Sequence, residues 1–299
     1  MKKFVIYILV IGMFATICML ACDILNRRLL LSSSVSSVYK MNRLFLSAPK
    51  DEVAILGSSR AEECFAPSRI SKHAYNYGLS GSRFAETVFH LKQAVERPGD
   101  APIIVNLDPW GIGVGAFRGD YRFVSRIPAV CTENDIKYAL GSVLPGFRFY
   151  GELRRNLAGV VRGGSKTIDN GAILFGISRS ANEWQYILDN FTIEKYVEDA
   201  DVKKRLSDVL LSNTSHEIVF VVVPIMKCWW DKFEGKEDFT RLKEWLATFR
   251  HVHVIDYSSS EGYGDVDFFD PIHLNRSGAI KFSNEIRLCL KNRLIIGDE

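Results

Sequence analysis

Several functional classes leave signatures that this chain does not carry. Its six cysteines include no Cys-x-x-Cys pair and no spacing typical of metal ligands. That argues against a zinc module or a dithiol redox site, and neither a metal nor a cofactor is expected. There is no Gly-rich phosphate loop, no run of basic residues and no internal repeat. A formal net charge of +3 is too small to suggest nucleic acid as a partner. What remains is a composition of 47% hydrophobic and 24% charged residues over 299 positions. This suits one large globular domain with appendages.

The N-terminus reads Met1-Lys2-Lys3, followed by an uncharged stretch over residues 4–22. That length can span a bilayer. Lys2 and Lys3 favour a cytoplasmic N-terminus, although Arg27 and Arg28 on the other side blunt the bias. Three readings compete: an uncleaved signal anchor, a cleaved signal peptide, and a lipoprotein signal ending at Cys22. No clear small-x-small site precedes the polar part, and Met19 and Leu20 fit a lipobox poorly, so the anchor is preferred. All three send the rest of the chain out of the cytoplasm. Residues 23–50 are serine-rich with little apolar period and read as a juxtamembrane linker. The soluble domain is then expected over residues 51–299.

Within it, strands and helices alternate. Short strands are predicted over 53–56, 74–77, 103–107, 218–223 and 252–255. Those at 103–107 and 218–223 are near-continuous apolar runs, as in parallel strands covered on both faces. Ser82 is placed as the cap of a helix carrying Phe84, Val88, Leu91 and Val95 on one face, and Asn275 as the cap of a last helix. The alternation implies a three-layer α/β/α sandwich around a parallel sheet. Residues 112–200 do not fit a simple crossover. Helical pieces are expected near 135–140, 149–161 and 181–188. Over residues 112–170 nine Lys or Arg stand against five acids. This reads either as a lid-like insertion or as a solvated cap over the sheet. Cys18 and Cys22 lie in the apolar segment; Cys64, Cys131, Cys228 and Cys289 read as buried free thiols by default.

The chemistry gathers at two ends of the domain. Val53-Ala54-Ile55-Leu56 runs into Gly57-Ser58-Ser59-Arg60, a tight turn from a buried strand into a helix. Open α/β sheets bind ligands at such strand ends. Far downstream, Asp270-Pro271-Ile272-His273-Leu274-Asn275 puts a carboxylate three residues before a histidine. That carboxylate can hold one ring nitrogen while the other accepts a proton from a serine. Singly, Gly-Ser-Ser is an ordinary turn, His273 a satisfied loop histidine and Asp270 a cap of the turn before Pro271. Together, in the order Ser, Asp, His, they point to nucleophilic catalysis. Trp110 and Trp229 follow the third and fourth strands, on the side where the site should open. Each is a candidate sugar platform or an ordinary half-buried aromatic. Arg60 is a candidate contact for an acidic substrate group or one half of an ion pair.

These blocks resemble the SGNH (GDSL-type) hydrolase family. Gly57-Ser58-Ser59 stands where that family has Gly-Asp-Ser, Asn76-Tyr77-Gly78-Leu79-Ser80-Gly81 resembles its second block, and Asp270-x-x-His273 its last. Its Gly-x-Asn-Asp block is not visible; the chain reads Asp108-Pro109-Trp110-Gly111 there. The resemblance implies five strands in flavodoxin-like order, Ser59 as nucleophile, Asp270 and His273 as its partners, and an oxyanion hole from the N–H groups of Ser59 and Gly81. With the signal anchor and Gly-Ser-Ser, the chain looks like the membrane-anchored branch that serves alginate O-acetylation and D-alanyl transfer to teichoic acids. That implies an extracytoplasmic esterase or O-acyltransferase. Its substrate would be an acylated cell-surface glycan or its acyl carrier, and its partner a membrane-bound acyltransferase. The competing implication is a degenerate site serving as a binding or scaffold component of an envelope machine.

Overall fold

The protein is described here from a computed structural model covering residues 2–113, 166–176, 181–192, 195–213, 215–259, 262–293 and 295–297. It divides into two compact units, Met1–Asn42 with Gly119–Gly164, and Arg43–Arg118 with Ser165–Glu299.

In the first unit, helix α1 (Lys2–Ser32) holds a 20-residue apolar stretch, Lys3–Cys22, none of it buried. It is long and apolar enough to be a membrane anchor or a signal sequence. A short helix α2 (Ser37–Asn42) follows. The segment expected as a linker over 23–50 is therefore largely helical, and its last part belongs to the second unit. There a π-helical turn, Arg43–Ser47, buries Leu44 and sets Phe45 against Phe89, ring centroids 5.6 Å apart. Arg43 pairs with the buried Glu52, and its guanidinium lies over the Tyr75 ring. The second unit thus begins at Arg43, where an aromatic contact and a buried acid hold the turn.

The second unit is built on strands β1 (Val53–Leu56), β2 (Ala74–Asn76) and β3 (Ile103–Asn106), with helices α3 (Ser59–Cys64), α4 (Pro67–Ile70) and α5 (Phe84–Val95) between them. A hairpin, β4 (Lys166–Asp169) and β5 (Ala172–Phe175), leads to α6 (Ala181–Asn190) and α7 (Ala200–Ser212). Then come β6 (Ile218–Val222), α8 (Lys227–Lys232), α9 (Lys236–Leu246), β7 (Val252–Asp256), the short pair β8 (Phe268–Asp270) and β9 (His273–Leu274), and α10 (Arg276–Asn292). The central sheet is parallel throughout, in the order β2-β1-β3-β6-β7. Its direction of growth reverses between β1 and β3, the switch point where open sheets bind ligands.

Every residue of β1, β3 and β6 is buried, because helices cover both faces. Val53, Ile55, Ile104, Val219 and Val221 pack in one cluster with Phe65, Ile70, Phe282, Ile286 and Leu290. Their strand neighbours Ala54, Leu56, Ile103 and Phe220 point to the opposite face by the two-residue alternation of a strand, where α5 contacts β1, β3 and α7. Truncating a residue as buried as Phe282 to Ala would cost about 3–5 kcal/mol.

Some sequence expectations need adjustment. The cap of α5 is Arg83, whose N–H donates to Glu86, not Ser82. The hairpin β4–β5 turns at Asn170-Gly171, and Asn76 N–H donates to Asn170 O at 2.8 Å. The Asn-Gly pair therefore docks against the outer edge of β2. The helix expected near 181–188 lies at Ala181–Asn190. Those expected at 135–140 and 149–161, the rest of the insertion's basic stretch before Lys166, and Cys131 fall outside the described residues.

Candidate active site

The turn after β1 places the two serines differently. Gly57 has φ +145°, and a Cβ there would lie 2.8 Å from Asn106 Cβ, so the chain crosses β3 at glycine only. Ser58 is the N-cap of α3: its hydroxyl accepts from Arg60 N–H at 3.3 Å and donates to Asp108 Oδ2 at 2.8 Å. Both capacities of that hydroxyl are engaged. Ser59, the first helical residue, turns its Oγ instead to His273 Nε2 at 2.8 Å.

His273 is held by a local device. β8 and β9 pair antiparallel with Asp270 opposite His273, and Pro271-Ile272 forms the turn. Asp270 Oδ1 accepts the N–H groups of Ile272 and His273, both at 2.9 Å. The same carboxylate meets His273 Nδ1, at 2.8 Å through Oδ2. The chain from Asp270 through the imidazole to Ser59 is therefore continuous. Asn275 caps α10 by accepting Gly278 N–H at 3.1 Å, as its position before the last helix suggested. Burial pushes the Asp270 pKa up, but the hydrogen bond and charge of His273 and two backbone donors outweigh it, leaving it below its ordinary value. Burial likewise lowers that of His273, and Asp270 and Glu63 more than offset it, so the net shift is upward.

The segment after β2 runs beside the Gly57-Ser58-Ser59 turn, with Leu79 N–H donating to Gly57 O at 3.0 Å. Ser82 N–H returns to Leu79 O and closes a turn in which Gly81 takes φ +81°. The N–H groups of Ser59 and Gly81 make no hydrogen bond among the described residues. Both residues line a cleft of about 560 Å³. Its wall also includes Asp108, Trp110, Ile272 and, at the rim, Arg83 and Lys195. Lys195 is carried there by a segment whose Val197 N–H donates to Trp110 O at 2.9 Å.

Two residues expected to touch substrate do not face this cleft. Arg60 is fully buried, and its donors are taken by Asp108 and three backbone carbonyls. Trp229 is 3% exposed and stands behind Trp110, edge to face at 6.0 Å. It serves as packing for the cleft wall. Two further residues belong to the site's surroundings. Asp108 lines the cleft, and Glu63 has Oε2 3.9 Å from His273 Nε2. Glu63 was detectable in the sequence: it stands four residues after Ser59, hence on the same helix face. Asp108 follows an apolar strand at the switch point, a position that marks ligand-side residues.

No group of His, Cys, Asp and Glu among the described residues is arranged to hold a metal ion. No family model matches the chain, and no curated protein does. Among solved structures, one assigned provisionally as a platelet activating factor from Streptococcus pneumonia is similar over 89% of this chain and 95% of its own, at 14% identity and a TM-score of 0.39.

Proposed function

We propose that this chain is an extracytoplasmic serine esterase or O-acyltransferase of SGNH type, acting on acyl esters of a cell-surface glycan or its acyl carrier. The observation that carries the reading is the unbroken sequence of contacts from Asp270 through His273 to Ser59, opening on a cleft. In this mechanism Ser59 Oγ attacks the ester carbonyl while His273 Nε2 takes its proton. Asp270 fixes the tautomer and stabilises the imidazolium. The N–H groups of Ser59 and Gly81 receive the oxyanion. The leaving alcohol departs with the proton from His273, and the acyl group on Ser59 passes to water or to an acceptor hydroxyl by the reverse sequence. The apolar helix at residues 3–22 supports membrane attachment, and the reading places the domain on the far side from the cytoplasm with a membrane-bound acyltransferase as its partner.

A second reading, a binding or scaffold component with a degenerate site, draws on one observation. Among the described residues, no Asn or Gln lines the cleft, and an acid, Asp108, does. Fluorophosphonate labelling separates the two. Under the catalytic reading the wild type and Ser58→Ala label, while Ser59→Ala loses label and turnover by roughly 10³-fold or more. A wild type that does not label sinks the catalytic reading; a dead Ser58→Ala beside an active Ser59→Ala overturns the register.

A further inference from the structure

Arg60 directly follows the proposed nucleophile, yet it points away from the cleft and has no exposed surface. A guanidinium presents five donors in a fixed plane. Here Nε donates to Ile272 O at 3.0 Å, Nη1 to Asp108 Oδ1 at 3.1 Å, and Nη2 to Val223 O at 2.6 Å and Pro224 O at 3.4 Å. The acceptors come from three segments: the turn between Asp270 and His273, the residues after β3, and the residues after β6. Trp110 stacks over the cation, its ring centroid 5.5 Å from Cζ. One side chain on the nucleophile's helix therefore gauges the position of the histidine's turn.

The pairing with Asp108 matters for a second reason. Asp108 is the one acid among the described lining residues of the cleft. Its Oδ2 accepts a hydrogen bond from the Ser58 hydroxyl at 2.8 Å, and Asn106 Nδ2 donates to Oδ1 at 2.8 Å. Without a counter-charge this carboxylate would oppose the negative charge that ester attack develops at Ser59.

We propose that Arg60 is a positioning residue of the hydrolytic site: it sets the His273 turn through the Ile272 carbonyl and neutralises Asp108 on the cleft wall. The inference rests on the reading of Ser59 as nucleophile. The two roles separate by substitution. Lysine keeps a point charge but cannot fill a planar fork to four acceptors. Methionine keeps length and loses both.

The test uses the full-length protein in detergent or nanodiscs, p-nitrophenyl acetate as substrate, and active sites counted with a fluorophosphonate so that misfolded molecules drop out. Arg60→Lys is expected to lower kcat per labelled site by about tenfold or more with KM within twofold, as for loss of alignment. Arg60→Met is expected to fall further, and adding Asp108→Asn to it to recover part of that loss, because the unpaired carboxylate is gone. The pH profile gives a readout that packing alone would not move. Burial lowers the proton affinity of His273 most; Asp270 and Glu63 raise it, and the Arg60 cation lowers it. Arg60→Met should therefore move the acid limb of kcat/KM to higher pH, and Arg60→Lys should leave it in place.

Arg60→Met with an unmoved limb, or made worse by Asp108→Asn, overturns the inference. Should Arg60→Met fail to fold, Arg60→Lys decides: kcat per site within threefold of wild type overturns it. A wild type that neither labels nor turns over fails the functional reading itself, whereas a fully active wild type indifferent to Arg60 fails only this inference.

Discussion

Glu63 Oε2 stands 3.9 Å from His273 Nε2, the same nitrogen that meets Ser59 Oγ at 2.8 Å. The imidazole therefore lies between two carboxylates, one on each ring nitrogen. Burial lowers the proton affinity of His273, but Asp270 and Glu63 together carry it above its ordinary value. Only the neutral ring accepts a proton, so the acid limb of kcat/KM should lie above about pH 6.5. Glu63→Gln removes one raising charge and should shift that limb to lower pH, measured as kcat/KM against pH. An unmoved limb would remove Glu63 from the electrostatics of His273. For stability the sign is fixed too. The raised His273 value stabilises the fold below the unfolded pKa, and that contribution is lost as pH rises through the folded one.

The Asp270–His273 pair predicts strong non-additivity. His273→Ala should reduce turnover more than Asp270→Ala, since the ring moves the proton and the aspartate acts through it. The double variant should match His273→Ala within a small factor, measured as kcat. Multiplicative losses would argue against a shared relay.

Gly57→Ala tests the backbone crossing. The added Cβ would lie 2.8 Å from Asn106 Cβ and 2.9 Å from Ala61 Cβ, at a φ that side chains rarely adopt. A loss of about 2 kcal/mol or more is expected from strain and overpacking together, read from thermal or urea unfolding. A variant as stable as the wild type would contradict this packing.

Lys195 lines the cleft rim and makes no hydrogen bond or ion pair among the described residues. It should favour substrates carrying an anion near the scissile ester. Comparing 4-acetoxybenzoate with 4-acetoxybenzamide, each kcat/KM divided by its spontaneous hydrolysis rate, should show a preference for the anion. Lys195→Glu should reduce that preference by roughly fivefold or more, as about 1 kcal/mol of charge interaction near water implies. An unchanged ratio would remove Lys195 from specificity.

The strands at Val53–Leu56, Ile103–Asn106 and Ile218–Val222 were legible because burial on both faces leaves no polar alternation to interrupt them. Their order was not legible in local composition, since crossovers determine it, but the flavodoxin-like order that the resemblance implied is the one found, β2-β1-β3-β6-β7. The hairpin around Asn170-Gly171 carried a turn signal, yet Lys166 and Asp169 at its ends masked the strand pattern. Asp270 and His273 were legible because their contact is local, three residues apart. Arg60 was legible in part: of its two readings, substrate contact or half of an ion pair, the ion pair is found, with Asp108, but its enclosure was not legible, since every acceptor of its guanidinium lies 48 or more residues away. Trp229 failed as a platform for a similar reason, since Trp110 and Phe233 take its faces and edges.

The Ser59–His273 contact joins residues 214 positions apart. During synthesis the helix that carries Ser59 leaves the ribosome long before His273 exists. For most of that time the serine lacks its imidazole partner, and under the proposed function a partly made chain would be chemically silent. The Asp270–His273–Ser59 contacts form only when the Asp270–His273 turn docks, held by Arg60 Nε donating to Ile272 O and by Met226 N–H donating to Pro271 O at 3.0 Å. Contacts so distant in sequence close late and slowly. Esterase activity in a refolding experiment should therefore lag behind helix formation, and its half-time would serve as a clock for closure of the whole sheet.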